Sequence, residues 1–323
     1  MKQPGSGIPA LRTPSGEEAV RGLLLVAIGY AVISCADASV KWALPEVGPA
    51  GAMLWRGVVG ASVVAILARG RGLWPVNRRL LAMRSLLHTC VSAAWYVAWI
   101  SGVGLADSYA VAAASPLLMT LLAIPMLGEQ VGWRRWCSTL AGFAGVLFML
   151  QPGGELWRWE TGMLLAATVV MAVTRIWTRL LARTDGAYCI AFWLMVAHLP
   201  MGLLLSFFPA FWPAGGPPPL LPSWPVLLAL LAFGLANGLA HLLFARAFAL
   251  APIGALAPFE YTPLLWGTVI GYLVWAEVPA WSTLAGAAVV IAAGLYNVHR
   301  ERVRRAQERA AAASRAMAAA QAD

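Results

Sequence analysis

The sequence predicts an all-α integral membrane protein: ten transmembrane helices forming two inverted five-helix repeats. Three observations predict it. Of 323 residues, 60% are hydrophobic and only 11% charged, where a soluble domain carries about 25% charge. One segment occurs twice. The stretch 113–152 contains Pro116-Leu117-Leu118, Gly128-Glu129 and Ser138-Thr139-Leu140-Ala141-Gly142, and the stretch 257–298 contains Pro263-Leu264-Leu265, Ala276-Glu277 and Ser282-Thr283-Leu284-Ala285-Gly286 in the same order. Finally, the basic residues gather on alternate loops, as the positive-inside rule requires of a multi-pass chain.

Residues 1–21 form the expected cytosolic N-tail. Pro4, Pro9 and Pro14 with the acidic pair Glu17-Glu18 lack the basic start, apolar core and small-residue cleavage site of a signal peptide. The first repeat is expected over 22–150. Apolar runs near the roughly 20 residues needed to cross a bilayer lie at 22–43, 50–68, 80–102, 109–127 and 136–150. An outside linker is expected at 151–161. The second repeat, 162–298, places its spans at 162–181, 187–208, 226–250, 255–276 and 280–298, and a cytosolic C-tail follows at 299–323. The two longest loops, 69–79 and 209–225, carry Gly, Pro and Arg rather than a soluble domain.

With the N-terminus cytosolic, 20 of the 23 Lys and Arg fall at cytosolic ends; Lys41 and Arg158 fall outside and Arg56 lies within the second span. Both termini are therefore expected inside. The net charge of +9 sits at helix ends, which argues for membrane lipid and against nucleic acid as its partner. An odd number of spans per repeat inverts the second copy relative to the first. Inverted duplication is the construction of many secondary transporters, because exchanging the conformations of two similar halves alternates access to the site between them.

The four cysteines, Cys35, Cys90, Cys137 and Cys189, occur singly in or beside apolar segments, without metal-type spacing. They read as structural. No phosphate-binding GxxxxGK[ST] loop occurs, so the chain offers no site for driving transport with ATP. Two Lys against 21 Arg fits a GC-rich bacterial genome, and hence the bacterial inner membrane.

Ionisable groups inside a bilayer cost about 2.5–3.5 kcal/mol on insertion scales, so each calls for a reason. In the first span Tyr30, Ser34, Asp37 and Lys41 recur at four, three and four residues, which lines them on one face. Asp37 either contacts a cationic substrate group or takes up a proton, or it pairs with Lys41 or Arg56 and fixes packing. Arg56 in turn either holds a substrate carboxylate by a bidentate contact or pairs with Asp37. In the third span His88, Ser92, Trp95 and Trp99 repeat the same spacing and form a polar, aromatic stripe suited to a planar or cationic solute. Trp95 and Trp99 alone would read as core or interfacial belt.

The eighth span offers Asn237 and His241 on one face, flanked by Phe233 and Phe244, as substrate contacts or helix-to-helix hydrogen bonds. No His pairs with another ligand at metal spacing, and no metal or cofactor is expected. In the ninth span Ala257-Pro258-Phe259-Glu260-Tyr261-Thr262-Pro263 sets an acid between two prolines, which remove backbone donors. Broken helix at membrane depth is tolerated where it is buried or lines a cavity. Glu260 and Tyr261 are thus candidate site residues, with a structural pair to the first repeat as the alternative for Glu260. Pro116 marks the equivalent interruption of the fourth span, with Tyr109 nearby. Glu129 and Glu277 read as helix-end groups, Arg175 and Arg179 as side chains snorkelling to lipid phosphates, and the Arg- and Ala-rich tail as a cytosolic helix touching anionic lipid.

Ten spans, two five-helix repeats, the Pro-Leu-Leu and Glu elements before each last helix and the Gly-rich last helices (Ala141-Gly142-Phe143-Ala144-Gly145 and Ala285-Gly286) together resemble the EamA type of the drug/metabolite transporter superfamily. Asp37-Ala38-Ser39-Val40-Lys41-Trp42 followed by Arg56 is similar to the branch with S-adenosylmethionine uptake carriers and riboflavin or opine-type metallophore transporters. The resemblance implies a carrier of small organic solutes, with a pocket formed mainly by spans three, four, eight and nine, and the last span of each repeat at the periphery, often at a homodimer contact. The mixed charges and aromatics suit a zwitterionic or aromatic-containing metabolite, with an S-adenosylmethionine-like solute favoured. Export of an amino-acid-derived metabolite, opine metallophore or drug is the alternative. A membrane-embedded lipid-modifying enzyme would need a nucleophile, metal or paired acid and base, which only Asp37 with His88 or Glu260 with His241 could approach, and no enzymatic motif accompanies them.

Overall fold

The computed structural model of the chain describes residues 16–127, 133–150, 158–213, 216–251 and 256–320. Its elements are helical throughout, with no strand among the described residues. The expectations for residues 1–15, Glu129 and the linker 151–157 lie outside them.

Helix α1 runs Gly16–Leu67 and is divided at Gly48, whose φ of 62° and ψ of 173° leave the helical region. The expected loop at 44–49 is therefore a sharp kink: Pro49 cannot donate to the carbonyl four residues back, and Gly48 adopts a φ that other residues avoid. A Cβ at Gly48 would also meet the Phe211 carbonyl at 2.8 Å. The helix begins at Gly16, six residues inside the expected tail. Helix α2, Arg78–Ile100, starts at Asn77, whose side chain accepts from the Leu80 amide at 3.3 Å.

The expected fourth span is split into α3, Leu105–Ala112, and α4, Ser115–Leu127. The chain turns at Ala113 and Ala114, just ahead of Pro116, which has no amide hydrogen to give the Ala112 carbonyl four residues back. Helices α5 (Trp133–Leu150), α6 (Trp159–Leu181), α7 (Ala187–Leu205) and α8 (Trp224–Leu250) follow. The expected ninth span opens as a 3-10 helix, Ala257–Tyr261, and continues as α9, Thr262–Trp275, so its helical geometry changes between the two prolines. Helix α10 extends from Trp281 to Ala320, carrying the C-tail as one helix.

Among the described residues four helices are long and apolar enough to cross a membrane: Val20–Leu67, Trp159–Leu181, Ala187–Leu205 and Trp224–Leu250. Helix α2 has the length, at 23 residues, but Arg84, His88 and Ser92 lower its hydropathy.

The two halves interlock. Helix α1 packs along α8 and α7, α2 against α6 and α7, and α9 against α1 and α3. The last helices of the halves, α5 and α10, pack on each other, crossing where Gly145 faces Gly286. A Cβ on either would approach the other's carbonyl oxygen to 2.9 or 2.6 Å, so only glycine permits this contact. The core between the halves holds Leu44, Met53, Tyr96, Leu105, Leu117, Leu164 and Phe233.

Candidate functional site

A cavity opens between the halves, enclosing about 770 Å³ of space free of protein atoms, part of it continuous with solvent. Its wall includes Asp37, Arg56, His88, Trp95, Trp99, Tyr109, Asn237, His241 and Glu260. These come from α1, α2, α3, α8 and the 3-10 turn, and Met171 and Arg175 add α6. The wall is thus wider than the four spans implied by the resemblance.

At one end the Asp37 carboxylate accepts the Tyr109 hydroxyl at 2.7 Å. Neither Lys41 nor Arg56 is its ion-pair partner among the described residues. Trp95 stands beside Tyr109 and Trp99, with ring centroids at 5.8 and 5.6 Å. The Trp99 indole is fixed by donating to Ser108 Oγ at 3.0 Å. A carboxylate bordered by three aromatic rings suits a cation, because ring faces carry negative potential.

In the middle, Arg56 is 5% exposed and donates to Ser92 Oγ and the Tyr96 hydroxyl at 2.9 Å each, while its second nitrogen meets Nε2 of His241 at 2.9 Å. A guanidinium only donates, so Nε2 of His241 accepts and this imidazole is neutral. Ser92 also meets Nε2 of His198 at 3.0 Å, and Nδ1 of His198 lies 2.7 Å from the Leu194 carbonyl. These hydrogen-bond partners of Arg56 are uncharged, and no carboxylate forms an ion pair with it among the described residues.

At the other end Arg175 pairs with Glu260 and donates to the Tyr30 hydroxyl at 2.6 Å. The expectation that Arg175 snorkels to lipid is corrected: its α6 face carries Thr168, Thr174 and Thr178 into the bundle, and the side chain follows. Arg84, counted among the cytosolic charges, is 5% exposed and donates to Thr178 Oγ1 at 2.9 Å. Glu260 does have an ion-pair partner, from the second half rather than the first.

Tyr261 is absent from the cavity wall; its hydroxyl lies over Gly294 of α10. Glu277 bridges the halves. It pairs with Lys41, accepts the Leu105 amide at 2.9 Å and so closes the start of α3, while Lys41 sits 4.8 Å from the Trp275 ring. Of the cysteines only Cys189 is buried. His198, Tyr30, Tyr96 and Arg175 complete the site without having been singled out for it. His198 carried the same signal as His88, an imidazole in an apolar run.

Three polar atoms in the cavity wall are buried without a hydrogen-bond partner: Arg56 Nε, Asn237 Oδ1 and Glu260 Oε2. Such atoms cost about 1–3 kcal/mol each while they stay unpaired. Among the described residues no group of three His, Cys, Asp or Glu is placed to hold a metal ion.

The EamA-like transporter family matches residues 20–151 and 158–298. A riboflavin transporter of Rhizobium johnstonii is 27% identical over 68% of this chain and 70% of its own length. An S-adenosylmethionine uptake transporter of Rickettsia felis is 26% identical over 58% of this chain and 60% of its length, so that match spans less than two thirds of the relative. A pseudopaline exporter of Pseudomonas aeruginosa is 25% identical over 84% of this chain and 94% of its length. One crystal structure superposes with a TM-score of 0.61 over 90% of this chain and 98% of that one, at 17% identity, a likeness of fold alone.

Proposed function

The chain belongs to the EamA-like transporter family, and on that premise we propose that it is a secondary carrier of a small zwitterionic, aromatic-containing metabolite, working by alternating access. The observation that carries this reading is the cavity: Asp37 beside three aromatic rings at one end, Arg56 held by neutral acceptors in the middle, and Glu260 at the other. The arrangement suits a solute with a cation at Asp37, a carboxylate at Arg56 and a planar group against the Trp95 and Trp99 pair.

An S-adenosylmethionine-like solute satisfies all three requirements, and relatives bearing that name support it. The match over nearly the whole length of a pseudopaline exporter favours export of an amino-acid-derived metabolite, opine metallophore or drug as the second reading. Net flux from inside-out against right-side-out vesicles separates them.

In this reading the chain has ten spans in two inverted repeats, with α1 supplying two and the broken pairs α3–α4 and 3-10–α9 one each. Both termini are cytosolic, and the membrane is the bacterial inner one. Glu277 with Lys41 and the α3 amide forms the outer closure of the cavity. A homodimer would use the outer faces of α5 and α10, because their glycine faces are occupied by each other. The test is saturable uptake and counterflow in proteoliposomes with S-adenosylmethionine, riboflavin and amino-acid conjugates.

A further inference from the structure

We propose that the groove between α2 and α7 is a binding site for one anionic phospholipid. It lies outside the transport cavity and runs from Trp74 and Arg78 at its mouth to Leu86 and Pro200 at its far end. Arg78 to Ser85 spans about 10 Å of helix rise, which takes the groove from headgroup level into the hydrocarbon.

Its mouth is fixed and positively charged. The loop before α2 is pinned by the Trp193 indole donating to the Leu73 carbonyl at 2.8 Å and by Asp185 accepting the Val76 amide at 2.7 Å. Four arginines, Arg69, Arg71, Arg78 and Arg79, fall between Ala68 and Leu80 with no acid among them. Arg78 is exposed, forms part of the groove wall and has no ion pair among the described residues. A phosphate is the complement of that charge, and the amides opening α2 add their own attraction.

The interior is apolar but holds two unmatched polar groups. Ser85 is 2% exposed, belongs to the groove wall and its Oγ has no hydrogen-bond partner. Pro200 has no amide hydrogen, so the Val196 carbonyl one turn earlier, also in the wall, loses its helical donor. A diacyl lipid with its phosphate at Arg78 brings its glycerol esters down toward Ser85 and lays a chain over Leu86 and Ala197.

The experiment is native mass spectrometry of the full-length chain in detergent, titrated with phosphatidylglycerol and phosphatidylcholine of matched acyl chains. One phosphatidylglycerol retained per chain, at least five-fold over phosphatidylcholine, is expected. One basic residue near a lipid surface contributes about a five-fold affinity, so Arg78→Gln should erase most of that preference, and Ala197→Trp, filling the groove from an exterior position, should abolish retention of both lipids. Equal retention of the two lipids, retention that survives both substitutions, or a dimer that closes the groove would overturn the assignment.

Discussion

The hydroxyl of Tyr109 donates to the carboxylate of Asp37 at 2.7 Å, joining α3 to α1. The bond leaves Asp37 within the cavity wall with Trp95, Trp99 and Tyr109, and without an ion-pair partner among the described residues. That is the arrangement of a group awaiting a cation.

Asp37→Asn keeps the shape and removes the charge. A hydrogen bond to a charged group is worth about 1.5–3 kcal/mol, so the apparent KM for a cationic solute should rise about 10- to 100-fold. Tyr109→Phe should act less strongly. Competition by an uncharged analogue, measured in proteoliposomes, should be unaffected by Asp37→Asn.

Arg56→Lys is not a conservative change, because an ammonium cannot reach Ser92, Tyr96 and His241 in the planar fork that the guanidinium uses. Transport should fall at least ten-fold while the protein remains monodisperse. If Arg56 meets a solute carboxylate, esterifying that carboxylate weakens binding to the wild type and makes little further difference to Arg56→Met.

Arg175 and Glu260 test structure against function. Removing one partner of a buried pair costs about 3–5 kcal/mol, so Arg175→Met alone should lower Tm markedly in detergent. The double substitution Arg175→Met with Glu260→Gln should recover most of that loss and still fail to transport. Recovery of both stability and transport would make the pair purely structural.

Glu277→Gln weakens the closure with Lys41 and the Leu105 amide. A cysteine at Ala112, in a background with the four native cysteines replaced by alanine, should then label several-fold faster with an impermeant thiol reagent applied from outside. Unchanged labelling would remove Glu277 from any gating role.

The faces of single helices were legible in the sequence. Tyr30, Ser34, Asp37 and Lys41, and His88, Ser92, Trp95 and Trp99, lie where i, i+4 spacing puts them, because 3.6-residue periodicity fixes which side chains share a face. The interruptions at Pro116 and at Pro258 and Pro263 were legible too, since a missing amide hydrogen is a local property. What each face meets was not. Arg175 reads equally as lipid-facing until α6 is rotated against α2. Glu260 and Tyr261 are consecutive in a 3-10 helix with about three residues per turn, so they point roughly 120° apart, and only one of them can face the cavity. The kink that replaces the expected loop at 44–49 depends on Gly48 packing against Phe211, a contact 163 residues away in sequence.

The most direct test of the carrier reading is uptake and counterflow of labelled S-adenosylmethionine, riboflavin and a panel of amino-acid conjugates in proteoliposomes, comparing wild type with Asp37→Asn and Glu260→Gln. Saturable counterflow of at least one solute, lost in Asp37→Asn while the folded protein is retained, is the predicted result. Flux that does not saturate, or saturable flux indifferent to both substitutions, would contradict the cavity as the site of transport.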